Sequence, residues 1–295
     1  MAFSNSLYIA DKGTLPAELP SVEQIESASE IFGDTTGRKV VGVGIHFIVK
    51  YGVQVDPLEG RTMIYLGQST HVPVPRVYAL FQSPEKDVTY IIMERIRGWN
   101  LNSRWPRMDQ ASKEIVSTKL RNVFEEMRKL ETPGGYCSVG HGGLPDGLFW
   151  TNNPSNPFAG PFNIESKLNE AMIAKYVENG LSTYKANFYS RTFQDVFQNH
   201  SPVFSHADFQ RKNVLIRTST TTTGEEEEHW SVDNLELVII DWEFSGWYPS
   251  YWEYARAVFA CGRWDDDWND WIDQILKPYR NEYAWVEILL RELWS

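Results

Sequence analysis

Two short stretches hold the side chains with the clearest chemical capability. The first, HADFQRKNVLI at 206–216, contains His206, Asp208 and Asn213, and the second is an apolar run that ends at Asp241. Magnesium-dependent phosphoryl transfer requires a group that receives or orients the proton of an acceptor hydroxyl. It also requires oxygen ligands that hold the metal on the phosphates. An acid and an amide on one loop, with a second acid at a strand end, therefore predict a magnesium site beside a base.

The elements around these residues predict how they come together. NVLIR and LELVIID have the apolar, β-branched composition of strands, and residues 218–234 between them are low-complexity and anionic. We predict a β-hairpin with a solvated insertion that carries no chemistry. Such a hairpin holds Asp208 and Asn213 before its first strand and Asp241 after its second. Residues that are distant in the sequence would then be near one another in space.

A lysine and a glutamate lie upstream of these two stretches. The run RKVVGVGIHFIVKYG at 38–52 is rich in β-formers, and its glycines allow either one long strand or a hairpin of two short strands. In both cases Lys50 ends a β segment, and the simplest interpretation of a lone strand lysine is a solvated charge at a sheet edge. A helix predicted at 56–66 begins with Pro57 and carries Glu59. Lysine, glutamate, loop acid and second acid follow the order found in kinases.

The other elements of this region complete a small sheet. Ser21 and Gln24 form a capping-box pattern, which predicts a short helix that stops at Gly33. Strands are predicted at 76–81 and 88–96. There is no GxGxxG loop, so any element that covers phosphates differs from that of protein kinases.

The rest of the chain is mostly helical in pattern. The clearest helix, 109–131, has apolar residues along one face. Residues 133–163 are rich in Gly, Pro and Asn, and a loop of that length is often functional. Two helices broken near Gly180 are predicted within 164–200, and helices with many aromatic residues are predicted from 250 to 295.

The segment WDDDWNDWIDQIL has two interpretations. Trp268, Trp271 and Ile272 recur at helical spacing after three aspartates, Asp265–Asp267. One interpretation is a buried stripe whose acids lie at the helix N-terminus, where they are favourable. The other is a wall of acids and aromatic rings suited to an ammonium group.

Composition limits the class of partner. A net charge of −11 over 295 residues argues against a nucleic-acid backbone as a partner and favours a cationic or neutral second substrate. Cys137 and Cys261 lack the spacing of a disulfide framework or a metal site. The N-terminus does not have the pattern of a signal peptide, and no run approaches the ~20 apolar residues that span a bilayer. We predict a cytoplasmic protein without membrane or nucleic-acid partners.

Several motifs together resemble one family. HADFQRKNVLI and VIIDWEFSGWYPSYWEY resemble the aminoglycoside phosphotransferase and choline kinase-like family, particularly its large fungal branch. FIVKYG, LEGRTMIYL, VPVPRVYALF and YIIMERIRGWNL resemble that branch's N-terminal lobe in the same order. The resemblance implies an α+β, bilobal, protein kinase-like fold. Its small antiparallel-sheet lobe, 1–97, would bind the nucleotide, and its larger, mostly helical lobe, 98–295, would be catalytic and bind the acceptor.

The resemblance also implies the nucleotide-binding residues. Lys50 would contact the phosphates of ATP, and Glu59 would hold its ammonium group by charge pairing. Met93, Glu94 and Ile96 would belong to the hinge beside the adenine.

Roles in catalysis and metal binding follow from the same resemblance. Asp208 matches the catalytic aspartate that orients or deprotonates the acceptor hydroxyl. His206 matches a loop histidine that supports the metal-binding segment. Asn213 and Asp241 match the ligands of Mg²⁺, and Glu243 lies where a second acid often supports the metal shell.

Two departures from the family pattern keep more than one function open. Ala207 replaces a glycine between the histidine and the aspartate, and Gln210 lies where many members have histidine. The leading hypothesis is an ATP- and Mg²⁺-dependent kinase of a small hydroxylated molecule that is aminoglycoside-, choline- or metabolite-like. The alternative is a kinase-like binding module or repurposed scaffold with little or no phosphotransferase activity. A protein kinase is disfavoured because there is neither a Gly-rich signature nor an evident activation segment.

Overall fold

The chain divides into two compact units. The computed structural model describes residues 6–83, 85–151, 157–217, 235–262 and 264–294. Of these, the first unit takes the residues in Met1–Trp99, Leu215–Glu228 and Glu236–Glu243. The second unit takes those in Asn100–Val214, His229–Leu235 and Phe244–Ser295. The predicted insertion, 218–234, lies outside the described residues.

The strands and helices are numbered in chain order. The strands are β1 (Ser6–Ile9), β2 (Glu30–Thr35), β3 (Arg38–Val43), β4 (Phe47–Gly52), β5 (Val77–Ser83), β6 (Val88–Glu94), β7 (Gly98–Asn100), β8 (Pro202–Ser205), β9 (Val214–Arg217), β10 (Glu236–Ile239) and β11 (Gly246–Pro249). The helices are α1 (Val22–Glu26), α2 (Pro57–Ser69), α3 (Leu101–Arg104), α4 (Gln110–Met127), α5 (Glu165–Glu178), α6 (Thr183–Val196), α7 (Trp252–Phe259), α8 (Trp268–Ile275) and α9 (Arg280–Leu293). Of the described helices, none is both long enough and apolar enough to cross a membrane.

The first unit is built on an antiparallel sheet with the order β1-β5-β6-β4-β3-β2. The run at 38–52 forms the hairpin β3–β4, with Gly44 at a φ of 60° between the strands. Lys50 pairs with Val40 on one side and Ile91 on the other, so it lies on an interior strand. The interpretation of Lys50 as an exposed edge charge is therefore wrong, because the neighbouring strands leave the residue only 4% exposed.

The first helix shows where the sequence pattern was correct and where it failed. The capping box is confirmed, because Ser21 accepts from the backbone N–H of Gln24 while the Gln24 side chain accepts from that of Ser21. The predicted end at Gly33 is wrong, since α1 stops at Glu26. The residues that follow form β2, which pairs with β3, so sheet pairing takes the place of further helix.

Helix α2 positions Glu59. Asp56 caps the helix by accepting from the backbone N–H of Leu58, and Pro57 occupies the first turn, where its missing N–H has no intrahelical role. Glu59 lies in the same first turn and is 3% exposed. The cap therefore fixes the helix start and, with it, the place of the buried glutamate.

A small sheet with the order β10-β9-β7 positions the end of the second apolar run. A Cβ atom at Gly98 would lie 1.8 Å from the carbonyl oxygen of Ile216, so glycine is required where β7 meets β9. The backbone N–H of Ile239 donates to the carbonyl of Pro73 at 2.8 Å and anchors the end of β10. Asp241 follows two residues later, within the first unit.

The second unit is mostly helical. Helix α4 ends at Met127, before the predicted end at residue 131. Helices α5 and α6 are separated near Gly180, as predicted, and Gly180 has a φ of 79°. Strands β8 and β11 pair antiparallel, with Phe204 opposite Trp247, and β8 leads into the loop that contains Asp208.

The tryptophan stripe of α8 is core. Trp268 and Trp271 are 5% and 3% exposed. Asp267, just before the helix, accepts from Lys113 Nζ at 2.6 Å and from the indole N–H groups of Trp105 and Trp271. Burial by itself would raise the pKa of Asp267, but these hydrogen bonds outweigh burial and lower the pKa to about 2. Asp267, one of the three acids of the proposed ammonium wall, is thus already paired with a lysine of the same chain.

A buried histidine ties two helix starts together in the second unit. His200 Nδ1 lies 2.7 Å from Glu165 at the start of α5, and Nε2 lies 3.1 Å from Glu282 in the first turn of α9. Burial alone would lower the pKa of His200, but the hydrogen bonds and charges of the two glutamates outweigh burial and raise it. A protonated His200 therefore stabilises the folded state.

We expect His200 to make the stability of the protein depend on pH. Because its folded pKa is raised, its contribution is fully present below the unfolded pKa and is lost as the pH rises through the folded pKa. His200→Gln should cost about 1.5–3 kcal/mol of unfolding free energy near pH 6 and less near pH 9. Urea denaturation at both pH values measures this, with His141→Asn at an exposed site as the control. An equal cost at both values would contradict the assignment.

Candidate active site

The first unit gathers one lysine and three carboxylates. Lys50 Nζ lies 2.7 Å from Glu59 Oε2, 2.9 Å from Asp241 Oδ1 and 3.3 Å from Glu243 Oε2. The side chains of Lys50 and Glu59 are 5% and 3% exposed. The structure thus brings together three residues predicted to handle phosphate and metal, along with the predicted supporting acid.

The charges in this cluster shift one another. Burial alone would lower the pKa of Lys50, but the attraction of the three carboxylates raises it, so the amine stays charged. Burial raises the pKa of Glu59 to about 7, and the negative charges of Asp241 and Glu243 act in the same direction against the attraction of Lys50. The effect of Asp241 and Glu243 on the pKa of Glu59 shows that the three carboxylates repel one another, and a bound cation would relieve this repulsion.

An arginine that sequence reasoning missed joins this cluster. Arg38 Nη1 lies 2.6 Å from Glu243 Oε2, although the two residues are far apart in sequence. Arg38 opens β3, and no pattern in the sequence distinguishes it from an ordinary surface arginine. Its role follows only from the contact with Glu243.

The acidic residues of the cluster fit a divalent cation. Glu59, Asp241 and Glu243 each offer a carboxylate oxygen, and these atoms lie within 4.8 Å of one another. Hard oxygen ligands of this type are those that Mg²⁺ prefers. The predicted ligand Asp241 belongs to this set, whereas the other predicted ligand, Asn213, belongs to the second unit. The binding of Mg²⁺ by either residue stays a prediction.

The predicted hinge residues end the interior strand next to β4. Met93 is 9% exposed and pairs with Ile48. Glu94 Oε1 accepts from Arg217 Nη1 at 2.6 Å, and Ile96 follows the strand in a partly buried position. The contact of these residues with an adenine stays a prediction.

In the second unit, Asp208 and Asn213 are brought into direct contact. Asn213 Nδ2 donates to the Asp208 carboxylate at 2.8 Å and to the Asp208 carbonyl at 2.9 Å. The 3-10 turn Arg211–Asn213 brings the chain back after Asp208, which explains the five-residue spacing. Gln210 Nε2 donates to the other carboxylate oxygen at 2.5 Å. The glutamine that replaces the family's histidine at residue 210 therefore contacts the predicted base directly.

His206 and Glu253 hold the backbone of this loop. His206 is fully buried, and its Nδ1 accepts from the backbone N–H of Asp208 at 3.3 Å, in agreement with a supporting role. Glu253 Oε2 accepts from the backbone N–H groups of His206 at 2.5 Å and Ala207 at 3.2 Å. Burial raises the pKa of Glu253, against the opposing effects of His206 and the two N–H groups. Glu253 was not predicted, and its only signal is its place in the SYWEY motif.

Two residues of the candidate site have a backbone conformation that favours glycine. Ala207 has a φ of 64° and Asp241 a φ of 67°. A left-handed conformation costs a residue with a Cβ roughly 1–2 kcal/mol, and it persists where the surroundings impose it. The sequence thus has alanine in place of the family's glycine at residue 207, a position whose backbone conformation favours glycine. The buried Glu253 carboxylate, bonded to the adjacent N–H groups, helps to impose this conformation.

We expect Glu253→Ala to destabilise the second unit by about 2–5 kcal/mol, because two buried N–H groups would lose their acceptor. Glu253→Gln keeps an acceptor oxygen and is expected to cost clearly less. Urea denaturation of both variants measures the difference. Equal costs for Ala and Gln would show that packing, and not the hydrogen bonds, accounts for the effect.

The fold is that of a known class of phosphotransferases. No family model matches the sequence, and no curated protein matches it. Solved structures do match. A thermostable mutant of aminoglycoside phosphotransferase APH(4)-Ia has a TM-score of 0.54 at 16% identity, over 92% of this chain and 85% of that one. The streptomycin–ATP–APH(2")-IIa ternary complex has a TM-score of 0.52 at 15% identity, over 92% and 83% of the two chains.

A third match is the GDP and kanamycin complex of APH(2")-IIia, with a TM-score of 0.52 at 12% identity over 92% and 84% of the two chains. Such matches define an α+β, kinase-like fold with an antiparallel sheet in its N-terminal region and helices in its C-terminal region. More particularly, the chain has the fold of the aminoglycoside phosphotransferases. The predicted fold class is confirmed; the identities are low, so the likeness is one of fold.

Proposed function

We propose that this protein is an ATP- and Mg²⁺-dependent phosphotransferase that moves the γ-phosphoryl group of ATP to a hydroxyl of a small molecule. The observation that carries the proposal is the buried Lys50 ammonium, held at 2.7 Å by Glu59 and at 2.9 Å by Asp241. A buried lysine paired with a helix glutamate, next to a strand-end acid, is the arrangement that kinases use on nucleotide phosphates. The matched structures that contain ATP or GDP support a nucleotide donor.

On the nucleotide side, the first unit supplies positioning and charge. Lys50 would donate to the phosphate oxygens, while Glu59 fixes the direction of its ammonium group. Met93, Glu94 and Ile96 would lie beside the adenine as the hinge segment. Asp241, with Glu243 in support, would hold Mg²⁺, which would neutralise charge on the phosphates. The metal-binding role of Asn213 stays a prediction.

On the acceptor side, Asp208 would receive the proton of the attacking hydroxyl. The hydroxyl oxygen bonds to the γ-phosphorus while the bond from that phosphorus to the β–γ bridging oxygen breaks, and ADP leaves. The amides of Gln210 and Asn213 hold the Asp208 carboxylate in one orientation. His206 acts as a support through the Asp208 N–H and transfers no proton.

A second candidate function is a kinase-like binding module without turnover. The strained Ala207, directly before the predicted base, is the observation that favours it. Such a module would retain nucleotide binding and lack acceptor-dependent ADP release.

Two measurements test the proposal. Mg-ATP at a hundredfold excess over its dissociation constant should stabilise the fold by ~2.7 kcal/mol, measured as a rise in melting temperature. A screen of small alcohols should then identify an acceptor that stimulates ADP release. Stabilisation without any such acceptor would favour the binding module, and the absence of stabilisation would contradict nucleotide binding altogether.

A further inference from the structure

A cavity lies beside the Asp208 loop, wholly within the second unit. Its volume is about 200 Å³, below the roughly 300–1,000 Å³ of pockets that take drug-sized ligands. Its wall includes Gln210, whose amide bonds the predicted base. Other lining residues are Arg211, Lys212, Cys261, Trp264 and Asp266.

The carboxylate that lines this cavity, Asp266, and the nearby carboxylate of Asp208 are already paired with groups of the same chain. Asp266 lies 2.6 Å from Arg211 Nη2. Asp208 accepts from Gln210 and Asn213, and Lys212 Nζ lies 3.8 Å from its carboxylate. Among the described residues that line the cavity, two cations and one carboxylate give a formal charge of +1. Even with Asp208 included, the set is neutral.

Uncharged surface makes up much of the remaining wall. Trp264 is 49% exposed, so its ring is accessible to a ligand. Trp268 lies under the Arg211 guanidinium, whose central carbon is 5.3 Å from the ring centroid. Burial raises the pKa of the Cys261 thiol to about 11, so it adds no negative charge at neutral pH. The ring of Trp268 is thus already covered by a cation of the chain.

We infer that this cavity takes an acceptor without a cationic group: a small, neutral or anionic hydroxylated molecule with one flat ring. The inference rests on the proposed function, and it narrows the acceptor class. An ammonium group in the cavity would lie beside the cations Arg211 and Lys212, while the nearby carboxylates are already paired with other groups. A flat neutral or anionic ring, in contrast, fits the cavity and the exposed face of Trp264. The local charge thus opposes the expectation of a cationic acceptor that the overall charge of −11 favoured.

A charge-matched probe series tests this inference. The probes are benzyl alcohols that carry a para carboxylate, carboxamide or aminomethyl group, and their binding to the full chain is measured by calorimetry with and without Mg-ATP. The carboxylate or the carboxamide should bind about tenfold or more tightly than the aminomethyl probe. Equal or tighter binding of the aminomethyl probe overturns the inference. Failure of all three probes at millimolar concentration overturns it as well.

A charge reversal provides the second measurement. Lys212 is 56% exposed, so Lys212→Glu should fold, and it should shift the ratio of affinities towards the aminomethyl probe by about tenfold. Lys129→Glu, at an exposed site outside the cavity, should leave the ratio unchanged. An unchanged ratio in Lys212→Glu overturns the inference. Since the probes are scored by binding, their result is separate from the Mg-ATP stabilisation and ADP release that test the proposed function.

Discussion

Asp208→Asn should lower acceptor-dependent ADP release by about 10³-fold, because general-base catalysis by a positioned carboxylate typically contributes 10²–10⁴-fold. Asparagine is isosteric and keeps an oxygen that can accept from Gln210 or Asn213, so the loop should remain folded. The loss should appear in kcat, with little change in the affinity for Mg-ATP. Steady-state kinetics and calorimetry of the same preparation separate the two quantities.

The control for this variant is Asp195→Asn. Asp195 is an exposed acid in the same unit, and its replacement removes the same charge at a site outside the loop and the cavity. We expect wild-type turnover for this control. If Asp208→Asn turns over within a few fold of the wild type, Asp208 is not the base. The proposed transfer of the hydroxyl proton to Asp208 would then be wrong.

Lys50→Met should have the largest effect on the fold. Removing one partner of a buried ion pair costs about 3–5 kcal/mol, because the remaining charge is left in a low-dielectric environment. Here one ammonium lies within 3.3 Å of Glu59, Asp241 and Glu243, so its loss leaves three carboxylates to repel one another. We expect a fall of that size in the free energy of unfolding, measured in urea, and the loss of Mg-ATP stabilisation.

Two further variants test whether burial and charge repulsion cause this loss of stability. Lys39→Met removes a lysine whose side chain is 44% exposed and whose partner is Asp34, so it should leave the free energy of unfolding nearly unchanged. Adding Glu59→Gln to Lys50→Met removes one of the unpaired charges and should restore part of the lost stability. A double variant that is less stable than Lys50→Met would show that repulsion among the carboxylates does not cause the loss of stability.

Local sequence patterns determined the starts of elements and the kinds of chemistry. Ser21 and Gln24 form their capping box, and Pro57 begins α2 next to Glu59, because caps depend on residues a few positions apart. The contact between Asp208 and Asn213 also follows from short spacing, since a single turn closes it. Ends of elements were less predictable. Helix α1 stops early because its downstream residues pair with β3, and no local pattern identifies this pairing.

The tertiary structure decided which charges are buried and which are already paired. Lys50 appeared to be a surface charge until its strand was placed inside the sheet, and Glu253 gained its role from a loop far from it in sequence. The same holds for Asp266, an acid in a run of three that appeared free to bind an ammonium group until Arg211 was found beside it. Types and short spacings of residues are local properties, so the sequence alone indicated phosphoryl transfer. Burial and long-range pairing depend on elements distant in the chain, so only the folded molecule shows which charges remain to meet a substrate.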